Sequence, residues 1–364
     1  MKTYSQQTGV EDVRELDVGM DFRRPEYRRE VFMRFYEFHL KYKAHAGAIY
    51  YAFPYLFDYI DADKEQRLWI IYLNGCTQNI ITTYFLFREF PDVHNINLSK
   101  LATFMDDNWK KLQWDMDRRY AKAKTVEMVE NYKHLVRGGQ QDYFAKYTGS
   151  SCLYRNFRML WEEVFSNYKY YGRLSTFSYL EYLRIGGVDI DCDELFIGDI
   201  SGSKSHRNGI CKVMGRDDYD WTNDNEVKYT DDNLIQIETW GAELLEEAHQ
   251  RIDHPDVSYF TLETTLCCYK GWHRVNRRYP NVYNDMFAER IRWSENRTGD
   301  KDLEMFWRMR KEFLPKHLRL EDNPKDVGLK PTKQNHYRHT GEVIMMHKDW
   351  DCFQNSYNDF TENT

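Results

Sequence analysis

Apolar residues recur three and four apart through most of this chain, and that spacing commits it to helices. Over residues 31–40 the period marks a helix with one buried face. The same reading predicts helices over 118–136, 152–165, 174–185, 233–252, 259–272, 282–293 and 303–313, and one capped by Asn97 or Ser99 that runs to about Leu112. Gly138-Gly139 and Gly186-Gly187 stop two of them. Pro54 interrupts 50–59 and predicts a helix start or a kink. The apolar stretch 68–90 is broken by the polar run 74–79, and 343–346 is the one candidate strand. The expected fold class is therefore mostly α, with a long irregular segment near 186–232 that is rich in Asp, Gly, Ser and Asn. An unstructured stretch of that length is uncommon in a compact domain and is often functional. Residues 1–25 read as a polar arm and 26–320 as a helical domain, divisible into lobes 26–150 and 151–320. Residues 321–364 read as an irregular tail packing on it.

Composition narrows the function classes. Hydrophobic residues make up 41% of the 364 and charged residues 30%, enough apolar material for a core. With 28 Tyr, 21 Phe and 10 Trp, rings fill that core and leave some to stack on a flat ligand such as a base. A net charge of −7 argues against a protein that coats nucleic acid non-specifically, so any such contact must be a local patch. The seven Cys include no CxxC, which points to reduced cytosolic thiols rather than a zinc site or a disulfide framework. No apolar run opens the chain as a signal peptide would, and no stretch of about 18 apolar residues predicts a membrane span.

Seven segments could carry chemistry. The first, 35–47, holds His39 and His45, which are six apart and share no helical face, so metal ligation is not suggested. It reads as a cationic helix end or as a ligand contact. In 74–79, the amides of Asn74, Gln78 and Asn79 either bond backbone at a helix break or read a ligand such as a pyrimidine edge. Segment 199–209 joins Asp199 to small residues and to Lys204, His206 and Arg207. It is a phosphate cradle without a Walker A pattern, or a solvated loop. In 216–221, Asp217, Asp218 and Asp220 could hold a divalent ion, supply a base, or only be solvated. Residues 264–284 contain no acid, while Lys270, Arg274, Arg277 and Arg278 alternate with Tyr269, Trp272, Tyr279 and Tyr283. That pattern suits a polyanion, or a corner pairing with the acidic 217–238 stretch. Arg173 opens a helix, where anions are favoured. The tail segment 333–337 is dense in polar groups.

In this order, FYEFHLKYKAHAG (35–47), EQRLWIIYLNGCTQN (65–79), GRLSTFSYLEYLRI (172–185), DISGSKSHRNG (199–209), GRDDYDW (215–221), YFTLETTLCCYKGWHRVNRRYPNVYNDM (259–286) and KQNHY (333–337) resemble the phage amino acid:DNA transferases, once called α-glutamyl/putrescinyl thymine pyrophosphorylases. The resemblance covers about residues 30 to 340. Where the family pattern carries Pro, this chain has Ala46 and Ile80. The resemblance implies a place in thymidine hypermodification. Such phages replace thymine by 5-hydroxymethyluracil, a kinase phosphorylates the hydroxymethyl group, and the transferase displaces the phosphate with an amino acid of the glycine or serine type. It also implies, by analogy alone, a likeness to helix-hairpin-helix DNA glycosylases, whose hairpin-Gly-Pro-Asp signature is not clear here.

The roles that follow are those the resemblance implies. Lys204, His206 and Arg207, with Arg173, face the leaving phosphate. Asp199 or Glu263, with Asp217 behind them, serves as general base. Arg274 or Arg277 forks the amino-acid carboxylate. Asn74, Gln78 and Asn79 read the uracil edge, and His39 and Tyr279 complete the substrate contacts. Lys270, Trp272, His273 and Arg278 bind DNA. Cys267 could add to C6 of the ring, although a structural Cys is the simpler reading. No cofactor is required, since phosphate is already the leaving group, and the Asp-rich loop leaves room for a divalent metal. The partners implied are DNA carrying modified thymine, a free amino acid and the other phage DNA-modification enzymes, in the cytoplasm of the infected bacterial host. Two other readings stay open. One is a non-catalytic DNA-binding accessory protein. The other is a hydroxymethyluracil DNA kinase or glycosylase-like enzyme, against which, as a kinase, the missing P-loop counts.

Overall fold

The computed structural model describes Phe22 and residues 24–199, 204–219, 230–273 and 280–322. Among these there are helices and no β-strands: α1 Pro25–Lys41, α2 Ile49–Tyr59, α3 Lys64–Thr77, α4 Ile80–Glu89, α5 Leu98–Asn108, α6 Thr125–Leu135, α7 Gln140–Ala145, α8 Leu153–Asn167, α9 Arg173–Ile185, α10 Lys204–Val213, α11 Asp231–Arg251, α12 Tyr259–Lys270, α13 Val282–Thr298 and α14 Glu304–Phe313. The expected mostly-α class holds. The polar arm, apart from Phe22, Arg24 and Pro25, and the candidate strand 343–346 lie outside the described residues.

Local chemistry sets the boundaries. Asp63 opens α3 through a capping box, accepting from the Gln66 backbone N–H while the Gln66 side chain accepts from its own. Asn97 caps α5, and Ser258 and Thr261 form the capping box of α12. The polar run 74–79 is a helix break. Gln78 takes a left-handed φ of 49° and ends α3, and the Asn79 side-chain oxygen accepts from the Thr82 N–H to start α4.

Three expectations are corrected. Pro54 neither starts nor splits an element; it lies inside α2, which begins at Ile49. The helix expected over 118–136 is a 3₁₀ turn, Met116–Lys124, followed by α6. The irregular segment 186–232 contains α10, a helix buried from His206 to Val213. Its first buried positions are His206, Arg207, Asn208 and Gly209, with Ile210, Cys211 and Val213 only after them, so the apolar period that announces the other helices is missing.

The chain divides into two compact units: Met1–Ala48 with Glu194–Ala288 and Arg310–Thr364, and Ile49–Asp193 with Glu289–Met309. In the first unit α1, α10 and α12 pack on one another, and α11 packs on α10. A Cβ at Gly209 would stand 2.4 Å from the Leu266 carbonyl oxygen, so only glycine lets α10 approach α12 this closely. Phe32, Phe35, Tyr36, Leu262, Leu266, Tyr269 and Trp272 fill the core there. Burying one such side chain fully contributes roughly 1.5–3 kcal/mol.

The second unit is built on α3, against which α4, α7 and α9 pack. Its centre is a cluster of buried tyrosines. Tyr72 and Tyr132 stack with centroids 3.6 Å apart, and Tyr168, Tyr171 and Tyr179 surround them. Tyr72 donates to the Met128 carbonyl and Tyr132 to Gln140 Oε1, so these phenols are anchored in the fold. A Cβ at Gly75 would meet the Tyr171 hydroxyl at 2.4 Å.

Candidate active site

In the first unit, His206 projects from α10 between a backbone carbonyl and a carboxylate. Its Nε2 lies 2.8 Å from the Leu195 oxygen, and a carbonyl only accepts, so Nε2 carries a proton. Its Nδ1 lies 3.1 Å from Glu263 Oε1 on α12. That contact bonds only through one further proton, held either by the imidazole or by the carboxyl. The two side chains are 1% and 7% exposed, so this proton is shared away from water. Arg207, the next residue, donates from Nη1 to the carbonyls of Ile197 and Asp199 at 3.0 and 3.3 Å. Together His206 and Arg207 fasten the 195–199 strand of chain onto α10.

The expected phosphate loop 199–209 is thus in large part a helix. Residues 200–203 lie outside the described residues, Asp199 is half-buried, and Lys204 is exposed at the start of α10. Asn208, two residues beyond His206, is fully buried, and neither its Oδ1 nor its Nδ2 has a hydrogen-bond partner.

His39 projects from α1. Its Nδ1 is 3.1 Å from Thr265 Oγ1, and that hydroxyl donates its own hydrogen to the Thr261 carbonyl at 2.7 Å. Thr265 must therefore accept from His39, which fixes the proton on Nδ1 and leaves Nε2 a lone-pair acceptor. Nε2 is buried and has no hydrogen-bond partner. Burial, and then His45, hold the His39 pKa well below the usual histidine range, so the ring is neutral. The separation expected of His39 and His45 is overturned. On a continuous helix the two would point apart, but α1 ends at Lys41 and the chain turns through Lys43 (φ 47°). The two rings lie 4.7 Å apart. Burial and then His254 push the His45 pKa down to about 3.

In the acidic segment Asp217 and Asp218 are committed to ion pairs, and Asp220 lies outside the described residues. Asp217 accepts from Arg28 at 2.8 and 3.1 Å and from Lys212 at 2.9 Å, while Asp218 pairs with Arg216 at 2.7 Å. Burial pushes the Asp217 carboxyl up, but Arg28 and Lys212 outweigh it and hold it below the usual range. Among the described residues no group of three or more His, Cys, Asp or Glu is placed to hold a metal.

Of the basic aromatic segment, Trp272 is packed in the core, 4.7 Å from Phe35 and edge-on to Phe22, rather than offered to a base. Lys270 is buried and His273 half-buried. Cys267 is partly buried. Arg274, Arg277, Arg278 and Tyr279, with the tail segment 333–337, lie outside the described residues.

The remaining expected residues, Asn74, Gln78, Asn79 and Arg173, belong to the second unit. Asn74 Oδ1 accepts from Thr83 Oγ1 at 3.1 Å. Asn79 Nδ2 donates to Asp115 at 3.2 Å, and Asp115 in turn accepts from Arg290 at 2.7 Å. Burial raises the Asp115 pKa to about 6, against the pull of Arg290 and Asn79. Gln78 is half-buried; Arg173 is buried with its guanidinium 5.1 Å from the Phe177 ring centre.

Sequence reasoning passed over Asn208, Thr265 and Arg118. Arg118 is fully buried, donates to the Tyr170 carbonyl at 2.7 Å and lies 4.2 Å from the Tyr171 ring centre. No spacing announces any of them, although Asn208 stands within the DISGSKSHRNG motif.

A sequence model of the family described as amino acid:DNA transferase matches residues 48–279, more than half of the chain. A curated relative, a serinyltransferase of Salmonella phage ViI, is 24% identical over 328 residues, which cover 85% of this chain and 79% of the relative. No solved structure matches.

Proposed function

This chain belongs to the amino acid:DNA transferase family, and on that premise we propose that it replaces the phosphate of 5-phosphomethyl-deoxyuridine in phage DNA with an amino acid. The substrate amino acid is of the glycine or serine type, and the name of the phage ViI relative favours serine. The observation that carries this reading is the buried His206–Glu263 pair with its single shared proton.

The reaction needs such a pair because it moves one proton. An ammonium or hydroxyl nucleophile must lose a proton, the new C–N or C–O bond forms at the exocyclic CH2, the bond to the phosphate oxygen breaks, and phosphate departs. The proton taken from the nucleophile ends on that phosphate, so no oxidant, reductant or cofactor enters the balance. We assign proton acceptance to Glu263, held in place by His206 Nδ1, with Asp199 as the second candidate. Lys204, exposed at the start of α10, meets the phosphate, with Arg207 as the further cation. Arg274 or Arg277 holds the amino-acid carboxylate, His39 and Tyr279 contact substrate, and His273 and Arg278 meet the DNA backbone, whereas Lys270 is buried. The work is done in the cytoplasm of the infected host, beside the enzymes that install and trim the modification. Among the described residues no helix is long and apolar enough to cross a membrane.

The test is phosphate release from DNA carrying 5-phosphomethyl-deoxyuridine with ¹⁸O in the bridging position. Release that requires an amino acid, with the label leaving in the phosphate, supports displacement at carbon. Release without an amino acid, or phosphate free of label, contradicts it.

A further inference from the structure

Resting on the reading that the target base is a uracil, we propose that Asn208 is the residue that reads its imide edge, Oδ1 accepting from N3–H and Nδ2 donating to O4. Asn208 is 0% exposed and neither polar atom of its amide has a hydrogen-bond partner. A buried amide left unmade works against folding, and native proteins keep few of them. Several other buried amides among the described residues show the contrast. Asn74 and Asn79 close a helix break, Asn156 bonds three carbonyls, and Gln140 bonds Tyr132 and Glu65. Asn208 stands apart from these, on the helix that also carries His206 and Arg207.

The chemistry of a carboxamide selects the ligand. It presents one acceptor and one donor side by side, the complement of the N3–H and O4 of a uracil. A cytosine offers the reverse, an acceptor at N3 and a donor at N4, so one orientation of the amide matches one base. Enclosure is expected of a group with this task, because a base taken out of the helix is read in a closed pocket. Asn208 is on this account a specificity residue, separate from the groups that move the proton.

The experiment compares wild type with Asn208→Ala and Asn208→Leu on two DNAs. One carries 5-phosphomethyl-deoxyuridine and the other its N3-methyl form, each opposite an abasic site so that base pairing is equal. Transfer is read as the modified nucleoside by mass spectrometry, and Tm is measured without DNA. The expected result has three parts. Wild type loses about a hundredfold in kcat/KM on the N3-methyl base. The Asn208 variants are about that slow on the plain base and no longer distinguish the two. The Leu variant melts no lower than wild type, because it removes an amide that bonds nothing in the fold. Variants that still distinguish the bases, or that keep wild-type transfer, overturn the assignment. So does a Leu variant whose lost transfer comes with a lowered Tm, since the amide would then be structural. A wild type inert on the plain base overturns the uracil reading itself, and the assignment with it.

Discussion

The α3–α4 break of the second unit and helices α1 and α10 of the first treat buried polar groups in opposite ways. In the second, the amides at the α3–α4 break form a closed circuit: Asn74 with Thr83, Thr83 with Thr77, Asn79 with Thr82 and Asp115, Asp115 with Arg290. In the first, α1 and α10 bury an imidazole lone pair and a whole carboxamide with no bond to the fold, beside a His–Glu pair that shares one proton. A closed network stabilises and specifies a core, whereas an open one costs stability and is kept for something outside it. On this difference we propose that chemistry and base reading belong to the first unit, and that the amides of the second are scaffold.

The sharpest way to break that division is Glu263→Gln. It keeps the volume and removes the proton acceptor, so transfer should fall by about 10²–10⁴-fold in single-turnover assays while DNA binding stays within a few-fold. Wild-type rates in this variant would move the chemistry elsewhere. Next in size is Asn79→Ala. Loss of the cap should lower stability by about 1 kcal/mol, read as a lower Tm. If transfer falls instead at an unchanged Tm, Asn79 reads substrate and the contrast fails.

The smallest effect is one of pH, and its sign differs between the units. His39 and His45 have folded pKa values below the unfolded one of about 6.5. Their contribution is therefore full above about pH 6.5 and is lost as pH falls, for His45 down to about 3. Asp115 is raised from 3.8 to about 6, so its contribution is full below 3.8 and is lost as pH rises through about 6. Hydrogen exchange at pH 5 and pH 7, corrected for intrinsic rates, should show α1 and α12 losing protection on acidification relative to α3 and α4. Equal loss in both would remove the electrostatic part of the contrast.

Most helices were legible because apolar side chains at a 3.6 period, with Asn97, Gly186 and similar punctuation, leave few other ways to bury them. α10 was illegible for a physical reason. The first half of its buried run is His206, Arg207, Asn208 and Gly209, whose burial depends on carbonyls, Glu263 and a close helix contact distant in sequence. The site was legible in its parts. Glu263, His206 and Arg207 could be singled out, but not that His206 and Glu263 meet. The roles of Asn74 and Asn79 were undecided between helix break and base reading, since an amide looks alike in sequence whether its partner is a backbone N–H or a ligand. The nearness of His39 and His45 depends on a turn that no spacing rule encodes.

The central claim is that an amino acid is joined to a phosphomethyluracil in DNA. The most direct measurement is mass spectrometry of the nucleosides after incubating the protein with DNA carrying 5-phosphomethyl-deoxyuridine and a mixture of all amino acids, without ATP. The expected product is a nucleoside in which the phosphate has been exchanged for a single amino acid, and that mass names the substrate. Unchanged nucleosides, with the diphosphorylated base equally inert, would contradict it.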